Sequence, residues 1–186
     1  MRIFLAGDSP WSNWQAGPLG RIIKRRLISY FYHGFKIGNR LTKEVRLSHA
    51  CGMDLFLDSG AYTQEKAKNE KTVITVDSYA DFINQHGDIF SLIANLDVIG
   101  DTGPKSWSNL KALESLGCPV IPVFHYQDDI RYLKKMLDNY PFIALGGLVG
   151  AHHDKLRIWL DEMVQILITQ RWYTAAQRAR LWVHGF

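Results

Sequence analysis

Leu55-Phe56-Leu57-Asp58-Ser59-Gly60-Ala61-Tyr62 is a short, unbroken apolar run that ends on a carboxylate and then a glycine. Continuous runs this short read as strands covered on both faces, the usual state of parallel sheets. A carboxylate directly after such a strand is partly buried, and burial raises its pKa toward general acid–base use. Ser59 and Gly60 let the backbone turn closely against a flat ligand. On spacing alone, Asp58 equally suits a cap for the segment that follows.

Five further apolar runs have the same look: 3–6, 92–96, 120–124, 142–145 and 181–183. Amphipathic segments lie between them. Leu19, Ile22, Ile23, Leu27, Tyr30 and Phe31 fall at helical spacing over 18–33. Tyr79, Phe82 and Ile83 share a face over 77–85, before Gly87. Trp107, Leu110, Leu113 and Leu116 recur over 105–116, before Gly117. Asp128 or Asp129 can cap a helix bearing Ile130, Leu133 and Leu137. A longer helix beginning near Asp154 carries Leu156, Trp159, Leu160, Met163, Val164 and Leu167, and a short one is expected over 174–178. Strands alternating with helices imply parallel βαβ units in one α/β domain, 1–186.

Composition narrows the class. Hydrophobic residues make up 47% of 186, with six Trp, eight Tyr and nine Phe, which excludes a disordered chain. No apolar run approaches the roughly 20 residues a membrane span needs. The opening Met1-Arg2-Ile3-Phe4-Leu5-Ala6-Gly7-Asp8 is too short in its apolar part for a signal peptide and reads as a first strand. Cys51 and Cys118 form no CxxC or zinc-ribbon spacing, so a structural zinc is not expected and a reducing cytoplasm is the default. Net charge is +4, with Arg21, Lys24, Arg25 and Arg26 clustered on the first helical segment. Such a cluster suits nucleic-acid binding and equally suits a solvated helix face.

In α/β sheets, ligands bind at the carboxyl ends of the strands. Besides Asp58, those ends carry Asp97, His125, Gly146-Gly147 and His184. Asp97 can accept from paired N–H donors such as a guanine edge, or serve a turn. Gly146-Gly147 permits close backbone approach, but GGLVG is not a dinucleotide fingerprint. His125 and His184 suit ligand contact or a hydrogen-bonded structural role. His152-His153 reads as the solvated start of a helix.

Taken in order, Asp58-Ser59-Gly60-Ala61-Tyr62, Asp97 and Gly146-Gly147-Leu148 resemble the tRNA-guanine transglycosylase superfamily, nearest to the phage and bacterial branch that inserts 7-deazaguanines into DNA. The similar stretches run from about residue 50 to 186. Length alone favours an open sheet, because a full barrel typically needs about 250 residues. The resemblance instead implies a TIM-type (β/α) barrel with about six of its eight strands present. It implies exchange of guanine for a 7-deazaguanine in DNA or tRNA, without cofactor or metal. Asp58 would contact the base as general acid–base. Asp97 would read the guanine edge, and His125 and the Gly146-Gly147 backbone would face the base oxygen. Ser59, Gly60 and His184 would complete the binding surface. The family's nucleophile lies on a strand beyond the region matching Gly146-Gly147, so none is assigned here. An incomplete barrel leaves unpaired edges, which leads to the expectation of a truncated chain or of a second chain completing it. Two other readings use the same residues: a metal-dependent barrel hydrolase built on Asp58, His125 and His184, and a non-catalytic nucleic-acid binder built on Arg21–Arg26.

Overall fold

The computed structural model describes residues 25–67, 73–101, 103–148, 152–169 and 182–185. Six strands occur in this part of the chain: β1 (Arg25–Ser29), β2 (Asp54–Asp58), β3 (Leu92–Ile93), β4 (Val123–His125), β5 (Phe142–Gly146) and β6 (Trp182–Gly185). The α-helices are α1 (Tyr30–His33), α2 (Lys43–Ala50), α3 (Ala61–Ala67), α4 (Val76–His86), α5 (Pro104–Ser115), α6 (Ile130–Asn139) and α7 (His153–Thr169). The strand–helix alternation and the all-parallel pairing agree with the α/β class.

The barrel expectation does not hold. The strands form two small parallel sheets, ordered β1-β2-β3 and β4-β5-β6. They touch through one isolated parallel bridge, Ala94 to Ile121. The bridge is flanked by Ile121 N–H donating to Ile93 O at 2.8 Å and Asn95 N–H donating to Ile121 O at 2.9 Å. Among the described residues no pairing closes a ring: β1 pairs with β2 alone and β6 with β5 alone. The break between the two sheets lies in the 92–96 run. Only Leu92 and Ile93 of that run enter the ladder, and the chain then leaves regular strand geometry. An apolar run marks burial, and burial does not by itself make a ladder.

A second correction concerns the basic segment. The spacing of Leu27, Tyr30 and Phe31 predicted a helix through His33. The chain instead forms β1, and only four residues of helix follow it. Burial along β1 alternates, with Arg26 and Ile28 inward. Arg26 is 1% exposed and ion-paired to Glu44 of α2, and its guanidinium also donates to Ser48. Arg25 pairs with Asp54 at 3.2 Å across β1 and β2. Neither lies on a helix face, whether solvated or offered to a nucleic acid, the two readings the cluster suggested. Arg21 and Lys24 lie outside the described residues.

The other helix expectations hold within a residue or two, and their ends have identifiable causes. Thr75 and Ser78 form a capping box at the start of α4. Asp129, not Asp128, caps α6 by accepting from Arg131 N. Gly117 follows α5 with φ +79°, a conformation that disfavours any other residue. The helix expected over 174–178 lies outside the described residues, as does the 3–6 strand.

The core has three parts. Leu55, Leu57, Ile28 and Ile93 pack against Tyr79, Phe82 and Ile83 of α4 and Leu110 and Leu113 of α5. Phe124, Ile143 and Leu145 pack against Leu133, Met136 and Leu137 of α6 and Trp159 and Met163 of α7. On the other face of the strands, Phe56, Ala94, Val123 and Ala144 form a smaller cluster spanning both sheets. Each fully buried large side chain contributes about 1.5–3 kcal/mol. The strands are therefore anchored from both faces, and their carboxyl ends are held side by side.

Candidate functional site

The carboxyl ends of β2, β3 and β4 bring three titratable side chains together. Asp97 is the hub. Its Oδ1 accepts from the Ser59 hydroxyl at 2.6 Å, and its Oδ2 lies 2.7 Å from His125 Nε2. The Asp97 and His125 side chains are 12% and 6% exposed, so water screens their interaction little. Asp58 stands at the end of β2, one residue before Ser59. Its Oδ2 accepts from Gly60 N–H at 3.0 Å.

The irregular segment that carries Asp97 is tied down by side chains. Tyr79 donates to Ala94 O at 2.9 Å, Asn109 to Leu96 O at 2.9 Å, and Asn95 to Ser106 O at 2.8 Å. Ser106 accepts from Val98 N at 2.9 Å. Four side-chain bonds from α4, α5 and the segment itself replace the ladder that stops at Ile93. A loop fixed in this way holds a carboxylate about as firmly as a strand would.

Two glycines let the parts approach. Gly60 has φ +77°, and a Cβ there would lie 2.6 Å from Phe31 Cβ and 2.8 Å from Ser29 Oγ. A Cβ on Gly146 would lie 2.7 Å from His125 Cδ2 and 2.8 Å from Val123 Cγ1. The imidazole therefore rests directly on the β5 backbone. Gly147, at φ +71°, continues the turn.

Burial pushes the Asp58 carboxyl up to about 7, and the neighbouring charge of Asp97 adds to the rise. The Gly60 and Ser59 backbone N–H groups and His125 act against it without reversing it. For His125, burial disfavours the imidazolium, but the Asp97 hydrogen bond and the charges of Asp97, Asp128 and Asp58 prevail and raise its pKa. Asp128 is also raised, mainly by burial, even though it accepts from His125 N–H at 2.9 Å. Tyr79 is pushed well above its ordinary value, first by burial and then by the Asp58 and Asp97 charges.

Two cavities flank the Asp97–His125 pair. One, of about 380 Å³, is walled by Ala61, Ile74, Leu96 and Val98 with Asp97, Gln64, Glu65 and Asn109 as polar groups. The other, of about 260 Å³, is bounded by His125, Gln127, Asp128, Gly100 and Gly147. Ile99 belongs to both walls. Asp58 lines neither cavity.

No family model, curated protein or solved structure matches this chain. The site is therefore read from its own geometry. Asp58, Asp97, His125 and Gly146-Gly147 do converge, at the strand ends where they were expected. Ser59 is fully buried and bound to Asp97 and to Ala61 N, so it positions Asp97 and does not face a ligand. His184 stands in β6 opposite Ala144. His152 and His153 are exposed at the start of α7. Among the described residues no group of three or more His, Cys, Asp or Glu is placed to hold a metal ion. No helix among them is long and apolar enough to cross a membrane. Sequence reasoning gave Tyr79 only a place on a helical face and did not name Asn109 or Gln64. Only tertiary contact turns them toward the site.

Proposed function

We propose that this site binds a guanine-type base and serves chemistry at its N-glycosidic bond, as the transglycosylase resemblance implies. In this reading the base is exchanged for a 7-deazaguanine in a nucleic acid, in the cytoplasm. The supporting observation is the contrast between two neighbouring carboxyl groups. Asp58 is raised to about 7, so much of it carries a proton at neutral pH, while Asp97 beside it accepts from Ser59 and His125. A carboxyl group raised by burial and by a neighbouring negative charge is suited to act as a general acid.

The roles follow. The apolar walls of the larger cavity cover the faces of a flat base, and Asp97 offers its remaining lone pairs to N–H donors on the base edge. As the bond between the sugar C1′ and the base nitrogen breaks, the electron pair goes to the base. In this reading Asp58 is the source of the proton that neutralises it, reaching the base by way of Asp97 in the cavity wall, since Asp58 lines neither cavity itself. His125, held against Asp97, balances the negative charge of the two carboxylates. C1′ takes its new bond from the ring nitrogen of the incoming 7-deazaguanine, whose proton returns to Asp58, and no protein nucleophile is assigned.

Exchange of labelled guanine, and of a labelled 7-deazaguanine, into tRNA and into DNA tests the reading. Asp58→Ala is expected to lower exchange by at least about a hundredfold, the usual size of a general acid's contribution. Asp97→Asn is expected to weaken binding of the free base. Base binding that ignores both substitutions would sink the assignment.

A further inference from the structure

Two side-chain amides line the larger cavity, and a backbone partner fixes which way each one faces. Gln64 lies in the first turn of α3, where its N–H donates to Gly60 O at 3.0 Å. Its side-chain Oε1 accepts from Ile74 N–H, a group that can only donate. The oxygen end of this amide is therefore committed, and both hydrogens of its NH2 group are left for a ligand. Asn109 is fixed the opposite way. Its Nδ2 donates to Leu96 O at 2.9 Å, a group that can only accept, so the oxygen end is left over. The other polar side chains of the cavity, Asp97 and Glu65, accept when ionised.

Three of the four polar groups thus present lone pairs, and Gln64 presents the open NH2. This asymmetry matters for a guanine-type base. Its N–H groups suit Asp97, but the same edge carries a ring oxygen, and an oxygen enclosed without a donor costs binding. The transglycosylase resemblance sets that oxygen against His125 and Gly146-Gly147. In the structure His125 and Gly147 line the smaller cavity, and Gly146 lines neither. The donor in the cavity that Asp97 lines is Gln64.

We infer that Gln64 is a specificity-determining residue of this site, whose amide donates to the ring oxygen of the base and selects a 6-oxopurine over a base without that oxygen. The inference rests on the proposed reading that the cavity beside Asp97 takes a guanine-type base. It goes beyond that reading by giving the oxygen to a residue outside the motifs that carry the resemblance.

Calorimetric titration with 9-methylguanine and 9-methyl-6-thioguanine tests it, because sulfur replaces only the oxygen in question and accepts hydrogen bonds weakly. The parent protein is expected to bind 9-methylguanine about fivefold more tightly, the usual return on one neutral hydrogen bond. Gln64→Met removes the donor and is expected to bind the two compounds alike, with the loss falling on 9-methylguanine alone. It also frees Ile74 N–H, so Gln64→Glu is the companion variant. There an oxygen remains for Ile74 N–H while the NH2 is lost, and the Ile74 amide resonance shows whether the tether is kept. The preference is expected to vanish in this variant too. If Gln64→Met weakens both compounds by the same factor, Gln64 is structural and the assignment is refuted. A preference that survives in both variants refutes it equally. If the parent protein binds the two compounds alike, the role of Gln64 falls and the base reading stands. Failure of both compounds to bind the parent protein overturns the base reading and this assignment with it.

Discussion

Asp58 and His125 carry the most direct consequences at the scale of single residues, because the pKa of each is raised in the folded chain. Asp58 ionises at about 7 in the folded chain against 3.8 ordinarily, so the folded state holds its proton more tightly. A raised pKa means that stability is greatest at low pH and declines as pH climbs between the two values. The His125 pKa is also raised, and its stabilisation is likewise lost as pH rises through the folded value, above 6.5. Both effects have the same sign. Thermal unfolding followed from pH 5 to pH 8 is expected to show a falling Tm, with up to roughly 3 kcal/mol traceable to Asp58. Asp58→Asn should flatten the lower part of the curve and His125→Gln the upper part. A Tm that rises across this range in the parent protein would contradict the assignment. The carboxyl group at residue 58 was legible from sequence because an Asp directly after an apolar triplet must be partly buried. Its company was not legible: the 2.7 Å contact between Asp97 and His125 joins segments that share no local pattern.

At the scale of elements, β1 shows where local spacing misleads. Leu27, Tyr30 and Phe31 fit a helical face, and an arginine at an inward strand position hides the period-two pattern. What makes that position tolerable is Glu44, eighteen residues away on α2. Removing Glu44 takes the paired carboxylate away from a buried guanidinium. Glu44→Ala is therefore expected to cost about 3 kcal/mol in denaturant unfolding, while the exposed Lys43→Ala changes little. β5 offers a second test. Gly146→Ala would press a methyl group into the His125 ring and Val123. The expected result is a loss of about 1–3 kcal/mol. The His125 pKa, read by NMR, should fall as the ring is pushed from Asp97. By contrast, α4, α5, α6 and α7 were readable from sequence. Their apolar stripes face a core, and Thr75, Asp129 and Gly117 mark their ends by chemistry that does not depend on distant partners.

On the scale of the whole molecule, two three-stranded sheets share one bridge, and each has a largely separate helix-covered core. Cooperative units often follow such boundaries. Native-state hydrogen exchange is expected to resolve two protected groups, centred on β2 and on β5, with the Asn95 and Ile121 amides opening at lower free energy than either. Tyr79→Phe, which releases the bond to Ala94 O, should speed exchange at that seam more than elsewhere. The strand runs were sound indicators of burial but could not give the topology, because ring closure depends on pairings that no single run encodes. One earlier feature bears on how the molecule meets a polyanion. Arg26 counts toward the net charge of +4, yet it is enclosed and matched by Glu44. It can displace no condensed sodium or potassium from a phosphate backbone. The slope of log affinity against log salt should then be unchanged in Arg26→Met, so long as that variant folds.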